Sequence, residues 1–323
     1  MRNATSARLT AVAAALSLTL AGCGGATSDA GSGEPAGGGS KGTVKIAINP
    51  WVGYEANAAV VGYLLEKKLN YTVDKKNLKE EISWQGFETG EVDVILENWG
   101  HDDLKKTYIT DKKVAVEVGP TGNKGVIGWY VPQWMADKYP DITDGKNLNK
   151  YASLFKTSES GDKGQLLDGD PSFVTNDAAL VTNLKLNYKV VYSGSEAALI
   201  KAAQQATAQQ KPLLFYFYEP QWLFAKEKYA RVKLPAYTAG CDADPKKVAC
   251  DYPEYTLDKI ASKKFADTGG AAYQLVKNFQ WTNEDQNLVS DYITNQGMTA
   301  EKAAEKWVNE NEAKWKPWVP AAG

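Results

Sequence analysis

The chain has one histidine, His101, and three cysteines among its 323 residues. A single histidine leaves a serine hydrolase with only one candidate base, and residues 43–323 contain neither a Gly-x-Ser-x-Gly turn nor a Walker phosphate loop. The formal net charge of -2 argues against a nucleic-acid-binding surface. No stretch after the N-terminal segment is long and apolar enough to span a bilayer. These absences leave little catalytic chemistry and direct attention to binding.

The N-terminal segment has the pattern of a secretory signal. Two arginines precede an almost wholly apolar stretch, Leu9 to Ala21, that is too short to span a membrane. The stretch ends in Leu-Ala-Gly-Cys, which resembles the lipobox of bacterial lipoproteins and implies a signal peptide over residues 1–22 and lipidation of Cys23. An ordinary signal peptide with an incidental cysteine is the alternative. Residues 23–42 are rich in Gly, Ser and Ala, which predicts a flexible tether on the outer face of the cell membrane.

The two remaining cysteines, Cys241 and Cys250, belong to the folded part of the chain. An oxidising compartment favours a disulfide between them, and the acids and proline between them are typical of a surface loop. A metal site with both thiols is the alternative, but His101 is distant in sequence and no further cysteine is available. We therefore expect a disulfide-bonded loop, with no metal and no cofactor.

Strand and helix signals alternate along the first two thirds of the chain, and helical signals follow. This order predicts an α/β protein with parallel sheets. A helix over residues 195–210 is expected to be capped at its start by Ser193 or Ser195. The glycines at 119 and 122 predict a break between two strands and a candidate hinge. Residues 156–171 read as a loop, residues 220–229 as a helix, and residues 257–265 as the first of the C-terminal helices; strands are expected at 44–48, 92–96, 114–118, 126–131, 189–193 and 213–217.

Three aromatic residues, Trp51, Trp99 and Tyr218, stand just past predicted strands. Ligands of open α/β sheets bind outside the carboxyl ends of the strands. Aromatic faces there suit a quaternary ammonium cation, because each desolvated ring face contributes about 0.5–2 kcal/mol. The competing interpretation is that these aromatics only close the ends of the core. We interpret four tryptophans of the C-terminal region as packing residues: Trp281, Trp307, Trp315 and Trp318.

Four segments carry a family resemblance. They are Asn-Pro-Trp at 49–51, Thr-Gly-Glu-Val-Asp-Val at 89–94 with Glu-Asn-Trp at 97–99, Gly-Trp-Tyr-Val-Pro at 128–132, and Tyr-Phe-Tyr-Glu-Pro-Gln-Trp at 216–222. In order and spacing they resemble the extracytoplasmic solute-binding proteins of glycine betaine, proline betaine and choline ABC transporters. The resemblance implies a two-lobe periplasmic-binding-protein-like fold of type II, with parallel-sheet lobes, a hinge and a ligand cleft. Lobe I would comprise residues 43–121 and 222–323, and lobe II residues 122–221.

The resemblance also implies an aromatic cage shared by both lobes. Trp51 and Trp99 match the family's cage positions in lobe I, and Tyr218 matches a position in lobe II that is often Trp in relatives. Either Trp129 or Tyr130 is expected to supply a fourth wall. The choice between them stays open, because neighbouring residues of a strand point to opposite sides.

Polar contacts to the ligand are less defined. His101 is either a donor to a ligand carboxylate or a solvated residue at a helix start. The backbone N–H groups of Val52 and Gly53, at the start of a predicted helix, are candidates for holding a carboxylate. Gln221 stands where relatives often have His, which leaves carboxylate recognition open. A protein carboxylate facing the cleft would favour choline, whereas donor groups would favour betaine.

Together these features predict a lipid-anchored solute-binding protein, not an enzyme, that delivers glycine betaine or a related compound to ABC permease subunits. Glycine betaine, proline betaine, carnitine and choline all remain possible ligands, for osmoprotection or nutrition. The alternative is a cell-surface carbohydrate-binding protein or a glycosidase, since Trp stacks on sugars and a glycosidase needs a pair of facing acids. An adhesion or structural lipoprotein would need no aromatic cleft.

Overall fold

The computed structural model describes residues 40–173 and 175–321. The predicted signal peptide, Cys23 and most of the predicted tether lie outside the described residues. The strands are β1 (Thr43–Ile48), β2 (Thr72–Asn77), β3 (Val94–Asn98), β4 (Ala115–Pro132), β5 (Gly164–Asp168), β6 (Tyr188–Tyr192), β7 (Phe215–Glu219), β8 (Tyr229–Arg231) and β9 (Glu254–Ser262). The helices are α1 (Val52–Leu69), α2 (Glu80–Thr89), α3 (Asp102–Lys105), α4 (Gln133–Lys138), α5 (Leu148–Tyr151), α6 (Asp177–Asn183), α7 (Glu196–Ala208), α8 (Leu223–Lys226), α9 (Lys263–Thr268), α10 (Gly270–Asn278), α11 (Asn283–Thr294), α12 (Ala300–Glu310) and α13 (Glu312–Trp315). Within these described ranges, no helix is both long and apolar enough to cross a membrane.

The strands form one mixed sheet in the order β2-β1-β3-β9-β4-β7-β5-β6, with β8 paired to β4. The pairs β1–β2, β1–β3, β5–β6 and β5–β7 are parallel. Strands β9 and β4 run antiparallel to each other and to their other partners. The fold is therefore mixed α/β, as the sequence predicts, with a parallel group of strands on each side of the long antiparallel pair.

The break expected between residues 118 and 126 is absent, and that prediction is wrong. A single strand, β4, runs through this region and pairs with β9 along most of its length. The pairing is irregular near the glycines: its register shifts between Glu117 and Gly119 and again between Pro120 and Lys124. Gly119 and Gly122 have φ values of 115° and 93°, which favour glycine. The long β4–β9 pairing outweighs the local turn signal.

Three further local predictions are wrong for a related reason. The first six residues of the expected helix 257–265 belong to strand β9, which pairs with both β3 and β4. Part of the expected loop 156–171 is strand β5, which lies between β6 and β7. The expected helix 220–229 is reduced to the four residues of α8. Strand preference depends on neighbours far away in sequence, so local spacing misleads here.

Helix α1 anchors the first half of the sheet. Nearly all of its 18 residues are buried or half-buried, and it packs against α10, α11 and α12. It ends at Asn70, a left-handed residue with φ 59° whose backbone N–H donates to the Leu65 carbonyl. Glu55 in its first turn and Lys67 and Lys68 in its last turn complement the helix dipole. Its N-terminus starts directly after β1, which positions it at the carboxyl edge of the parallel strands.

The C-terminal tryptophans pack in the core between α1 and the last helices. Trp281, Trp307, Trp315 and Trp318 are each less than 9 % exposed. The rings of Trp307 and Trp318 stack with centroids 5.8 Å apart, and Trp281 meets Trp307 edge-on at 5.7 Å. Their interpretation as packing residues agrees with this burial.

The division into two lobes with boundaries at 121/122 and 221/222 stays a prediction. The contacts of the segment after β7 bear on its second boundary. Strand β8 pairs with the end of β4, the Tyr252 hydroxyl donates to Asp177 of α6, and Asn183 Nδ2 donates to the Val248 carbonyl. We propose that residues 229–252 belong with the half of the molecule that contains α6.

Candidate functional site

A cavity of about 490 Å³ opens at the edge of the sheet where β1 and β3 end. This volume lies within the usual range for small-ligand pockets. Strand β7, the turns after β1 and β3, the segment before α6 and the loop before β9 contribute to its lining. Seven aromatic residues line it: Trp51, Trp99, Phe173, Tyr216, Tyr218, Tyr237 and Tyr255.

The three aromatics expected to form a cage all line this cavity. Trp51 is the residue before the first turn of α1, and Trp99 follows β3 directly. Tyr218 lies inside β7 rather than after it, because that strand runs two residues further than expected. The rings of Trp99 and Tyr218 meet edge-on with centroids 5.6 Å apart. Residues from distant parts of the sequence therefore meet at one site.

Further rings join these three residues into a continuous aromatic wall. Phe173 lies 5.6 Å from Trp51 and 6.4 Å from Tyr218, both nearly perpendicular. Tyr255 lies 5.8 Å from Trp99. Perpendicular contacts of this kind hold neighbouring rings as separate walls rather than as a stack. Phe173 and Tyr255 were not among the expected cage residues: Phe173 follows the expected loop 156–171, and Tyr255 precedes the expected helix 257–265.

A buried carboxylate orients both tryptophans. Glu97 Oε1 accepts hydrogen bonds from Trp51 Nε1 and Trp99 Nε1, each at 2.8 Å. The other carboxylate oxygen accepts from Asn57 Nδ2 at 2.5 Å and from Gln286 Nε2 at 3.0 Å. Burial raises the pKa of Glu97 to about 7, and the hydrogen bonds from the two indoles oppose that rise. A carboxylate with four donors fixes the directions of both rings.

A second buried carboxylate occupies the start of α1. Glu196, the first residue of α7, accepts a hydrogen bond from the Val52 backbone N–H at 2.8 Å. It also accepts from Gln221 Nε2 at 3.0 Å and from the Tyr218 hydroxyl. Burial raises the pKa of Glu196, and the Tyr218 and Gln221 hydrogen bonds oppose this rise. The backbone N–H of Val52, expected to bind a ligand carboxylate, thus donates to a carboxylate of the protein itself.

Two residues expected to supply backbone donors do not line the cavity. Val52 and Gly53 lie at the buried start of α1. The Val52 N–H is taken by Glu196, and a Cβ at Gly53 would lie 2.3 Å from Gln286 Nε2. The start of α1 is therefore closely packed against Gln286, one of the side chains that donate to Glu97. Their direct ligand contact stays a prediction.

Trp129 and Tyr130, the two residues expected to offer a fourth wall, lie away from the cavity lining. Trp129 is fully buried, pairs in register with Tyr216 and donates from Nε1 to Asp177 at 2.8 Å. Tyr130 points to the other side of β4, where its ring packs 4.9 Å from Phe224. Neither lines the cavity. The neighbouring strand residues that do are Ile127 and Tyr216.

His101 lines the cavity but is neither solvated nor free. Its Nε2 lies 2.6 Å from Glu80 Oε1, and both side chains are nearly buried. Burial alone would lower the pKa of His101, but the charge and hydrogen bond of Glu80 raise it on balance. Its backbone is left-handed, with φ 54°, directly before α3. The ion pair holds His101 in the wall.

A disulfide-bonded loop forms another part of the lining. Cys241 and Cys250 are joined, with Cα atoms 6.3 Å apart. Asp242 and Pro245 of this loop line the cavity, as does Gly240 just before it. The disulfide-bonded loop therefore forms part of the cavity wall, a position that sequence alone did not indicate. Among residues 40–173 and 175–321, no group of three or more His, Cys, Asp or Glu side chains is arranged to hold a metal ion.

Comparison with known proteins adds a family match. Residues 42–310 match the substrate-binding domain of the ABC-type glycine betaine transport system. The trimethylamine N-oxide-binding protein of Pelagibacter ubique is 26% identical over 294 residues, which cover 87% of this chain and 91% of that protein. The glycine betaine/proline betaine-binding periplasmic protein of Salmonella typhimurium is 23% identical, covering 79% of this chain and 83% of the relative.

Solved structures share the fold. Lactococcal OpuAC, in its closed conformation with glycine betaine, superposes with a TM-score of 0.68 at 22% identity, covering 87% of this chain and all of that one. An ABC-transporter choline-binding protein in complex with choline gives a TM-score of 0.70 at 19% identity, covering 85% and 91% of the two chains. At these identities the likeness establishes a type II periplasmic-binding-protein fold.

Proposed function

This chain belongs to the family of substrate-binding domains of ABC-type glycine betaine transport systems, and we propose that its aromatic cavity captures a small quaternary ammonium compound. Proteins of this family are the substrate-binding components of importers, work with permease subunits and are not enzymes. Nothing in the family match supports the alternative of a glycosidase or a carbohydrate-binding protein. The chain therefore presents its ligand to a permease rather than transforming it.

The observation that carries the proposal is the anchoring of two cavity tryptophans on one buried carboxylate. A quaternary ammonium group has no hydrogen-bond donor, so that ring faces and nearby negative charge are what can recognise it. Glu97 supports this in two ways: it holds the rings of Trp51 and Trp99, and it adds negative charge behind them when ionised. Three or four ring faces at about 0.5–2 kcal/mol each, with a modest electrostatic contribution, correspond to micromolar affinity.

Calorimetric titration tests the function directly. The panel comprises choline, glycine betaine, proline betaine, carnitine and trimethylamine N-oxide, with glycine and maltose as controls. We expect at least one methylated-ammonium compound to bind with a micromolar dissociation constant, while glycine and maltose give no heat. Binding of maltose in place of every methylated compound would contradict the proposal and favour a carbohydrate site.

Lipid anchoring is a separate part of the proposal. The lipobox supports a thioether-linked lipid on Cys23, which holds the protein at the outer face of the cell membrane. Replacing Cys23 by alanine should move the protein from the membrane fraction to the soluble extracytoplasmic fraction. A Cys23→Ala protein that stays with the membrane fraction would contradict the lipid anchor and leave ligand binding unaffected.

A further inference from the structure

The position of Glu196 has a direct bearing on which ligand the cavity accepts. Helix α1 is 18 residues long, and its N-terminus carries partial positive charge that favours an anion. The anion found there belongs to the protein: Glu196 accepts the Val52 N–H at 2.8 Å. A ligand carboxylate would need the same position.

The side-chain donors next to this helix start are also committed to Glu196. The Gln221 Nε2 atom donates to Glu196 Oε1 at 3.0 Å, and the Tyr218 hydroxyl donates to the same oxygen. Glu196 is only 7% exposed, so these contacts are shielded from water. To use these donors, a ligand carboxylate would have to displace a buried, triply hydrogen-bonded group, which leaves the displaced charge unpaired.

The charge of the cavity wall also disfavours a ligand carboxylate. Acidic side chains contribute to it, and no Lys or Arg does so among the lining residues that the structure describes. One acid, Glu80, is paired with His101 at 2.6 Å. Like charges brought together in a partly buried site repel each other, whereas a cation is attracted. The other acids of the wall are Asp102, Asp103 and Asp242.

These observations lead to a choice of substrate class. Resting on the proposed function, we propose that the cavity prefers quaternary ammonium compounds that lack a carboxylate, for which choline is the probe, over betaines. We further propose that Glu196 sets this preference by occupying the donors of Val52, Gln221 and Tyr218. Glu196 lies behind the cavity wall, so it acts as a specificity-determining residue through its neighbours rather than as a wall residue itself.

Competing calorimetric titrations with choline and glycine betaine test this proposal. In the unmodified protein we expect choline to bind at least tenfold more tightly than glycine betaine. Glu196→Gln keeps the size of the side chain but removes its charge and turns one acceptor into a donor. This change should lower the ratio of the two affinities at least tenfold, with choline losing and glycine betaine gaining.

Matched variants separate this effect from general damage. Glu55→Gln removes a half-buried acid in the first turn of the same helix, outside the cavity lining, and should leave the ratio unchanged. Glu196→Ala, which frees all three donors, should shift the ratio in the same direction as Glu196→Gln. Because the readout is a ratio within one protein, partial unfolding lowers both affinities and leaves it unchanged.

The possible outcomes distinguish the two proposals. If no methylated-ammonium compound of the panel binds the unmodified protein, the proposed function fails, and the substrate preference fails with it. If glycine betaine binds as tightly as choline, the function stands and the preference is overturned. If choline is preferred but the ratio survives in Glu196→Gln, the role of Glu196 is overturned.

Discussion

The molecule contains two clusters of aromatic residues that differ in how their polar atoms are satisfied. In the C-terminal cluster, Trp315 Nε1 donates to a backbone carbonyl of α12 at 2.7 Å. The Nε1 atoms of Trp281 and Trp307 have no hydrogen-bond partner among the residues that the structure describes. At the cavity, both Trp51 and Trp99 donate to the same buried carboxylate.

This difference separates a packing role from a binding role. Burial of large rings is sufficient to hold the C-terminal cluster, because each ring removes a large apolar area from water. At the cavity, Trp99 is only partly buried, whereas Trp51 is as buried as Trp315. The directions of Trp51 and Trp99 instead depend on Glu97, a buried carboxylate that is costly unless it is fully hydrogen-bonded. A binding site needs such fixed directions, whereas a core needs only filled volume.

The largest effect should follow from truncating the packing cluster. Trp307→Ala removes a fully buried ring and should lower the free energy of unfolding by about 3–5 kcal/mol. Urea denaturation measures this loss. Ligand affinity of the protein that remains folded should be unchanged, because Trp307 is remote from the cavity lining. A tenfold loss of affinity in a folded Trp307→Ala protein would break the distinction between the two clusters.

The disulfide should have the next largest effect on stability. Its two cysteines are nine residues apart, and closing a loop of this length corresponds to about 2–3 kcal/mol in the chain-entropy treatment. Replacing both Cys241 and Cys250 by serine should lower the free energy of unfolding by up to this amount. Ligand affinity should also fall severalfold, since the loop lines the cavity. Unchanged affinity in calorimetry would assign the loop to packing alone.

Truncating a tryptophan of the cavity wall should lower ligand affinity more than stability, the opposite of the result expected for Trp307→Ala. Trp99→Ala removes one ring face and one donor to Glu97, and it should weaken quaternary ammonium binding at least tenfold. Because Trp99 is only partly buried, we expect a loss of about 1 kcal/mol or less in stability. Calorimetry and urea denaturation on the same preparation compare the two quantities. Unchanged affinity would contradict the cage assignment of Trp99.

Sequence reasoning found the cavity because strand ends converge. Trp51, Trp99 and Tyr218 each lie near the end of a strand, and the topology rule brings such ends together. Tyr216 could have been predicted as a cavity residue in the same way, since it lies two residues before Tyr218 and shares its face of β7. Phe173, just after the expected loop 156–171, offered no periodic signal.

The roles of the two buried carboxylates were not accessible from the sequence. Glu196 and its donor Val52 are 144 residues apart, and nothing in either local segment indicates the contact. Strand β9 was missed for a similar reason: Leu257, Ile260 and Ala261 have helical spacing, yet pairing with β3 and β4 makes them a strand. Local patterns gave the fold class, but non-local pairing decided which charges meet at the site.

The smallest expected effect is a pH dependence of binding that only the cavity cluster should show. The pKa of Glu97 is raised to about 7 by burial, so the carboxyl is mostly protonated at pH 6 and mostly ionised at pH 8. A bound cation favours the ionised form of Glu97 and should therefore bring this raised pKa down. Ligand binding then releases a proton, and affinity should rise with pH.

The other titratable groups around the cavity act with the same sign. The pKa of Glu196 is also raised, with burial the main cause, and His101 loses rather than gains positive charge as pH rises. The remaining acidic side chains of the wall are Glu80, Asp102, Asp103 and Asp242. We expect choline affinity to increase about threefold to tenfold between pH 6 and pH 8, measured by calorimetry at constant ionic strength.

Glu97→Gln provides the matched test of this assignment. The amide keeps an acceptor for the indole N–H groups of Trp51 and Trp99 but cannot ionise. Affinity should therefore lose most of its pH dependence and stay close to the value of the unmodified protein at pH 6. A pH dependence that persists at full size would assign the titration to His101 or Glu196. In that case Glu97 would hold the two rings without contributing its charge, and the cavity cluster would differ from the C-terminal cluster in geometry alone.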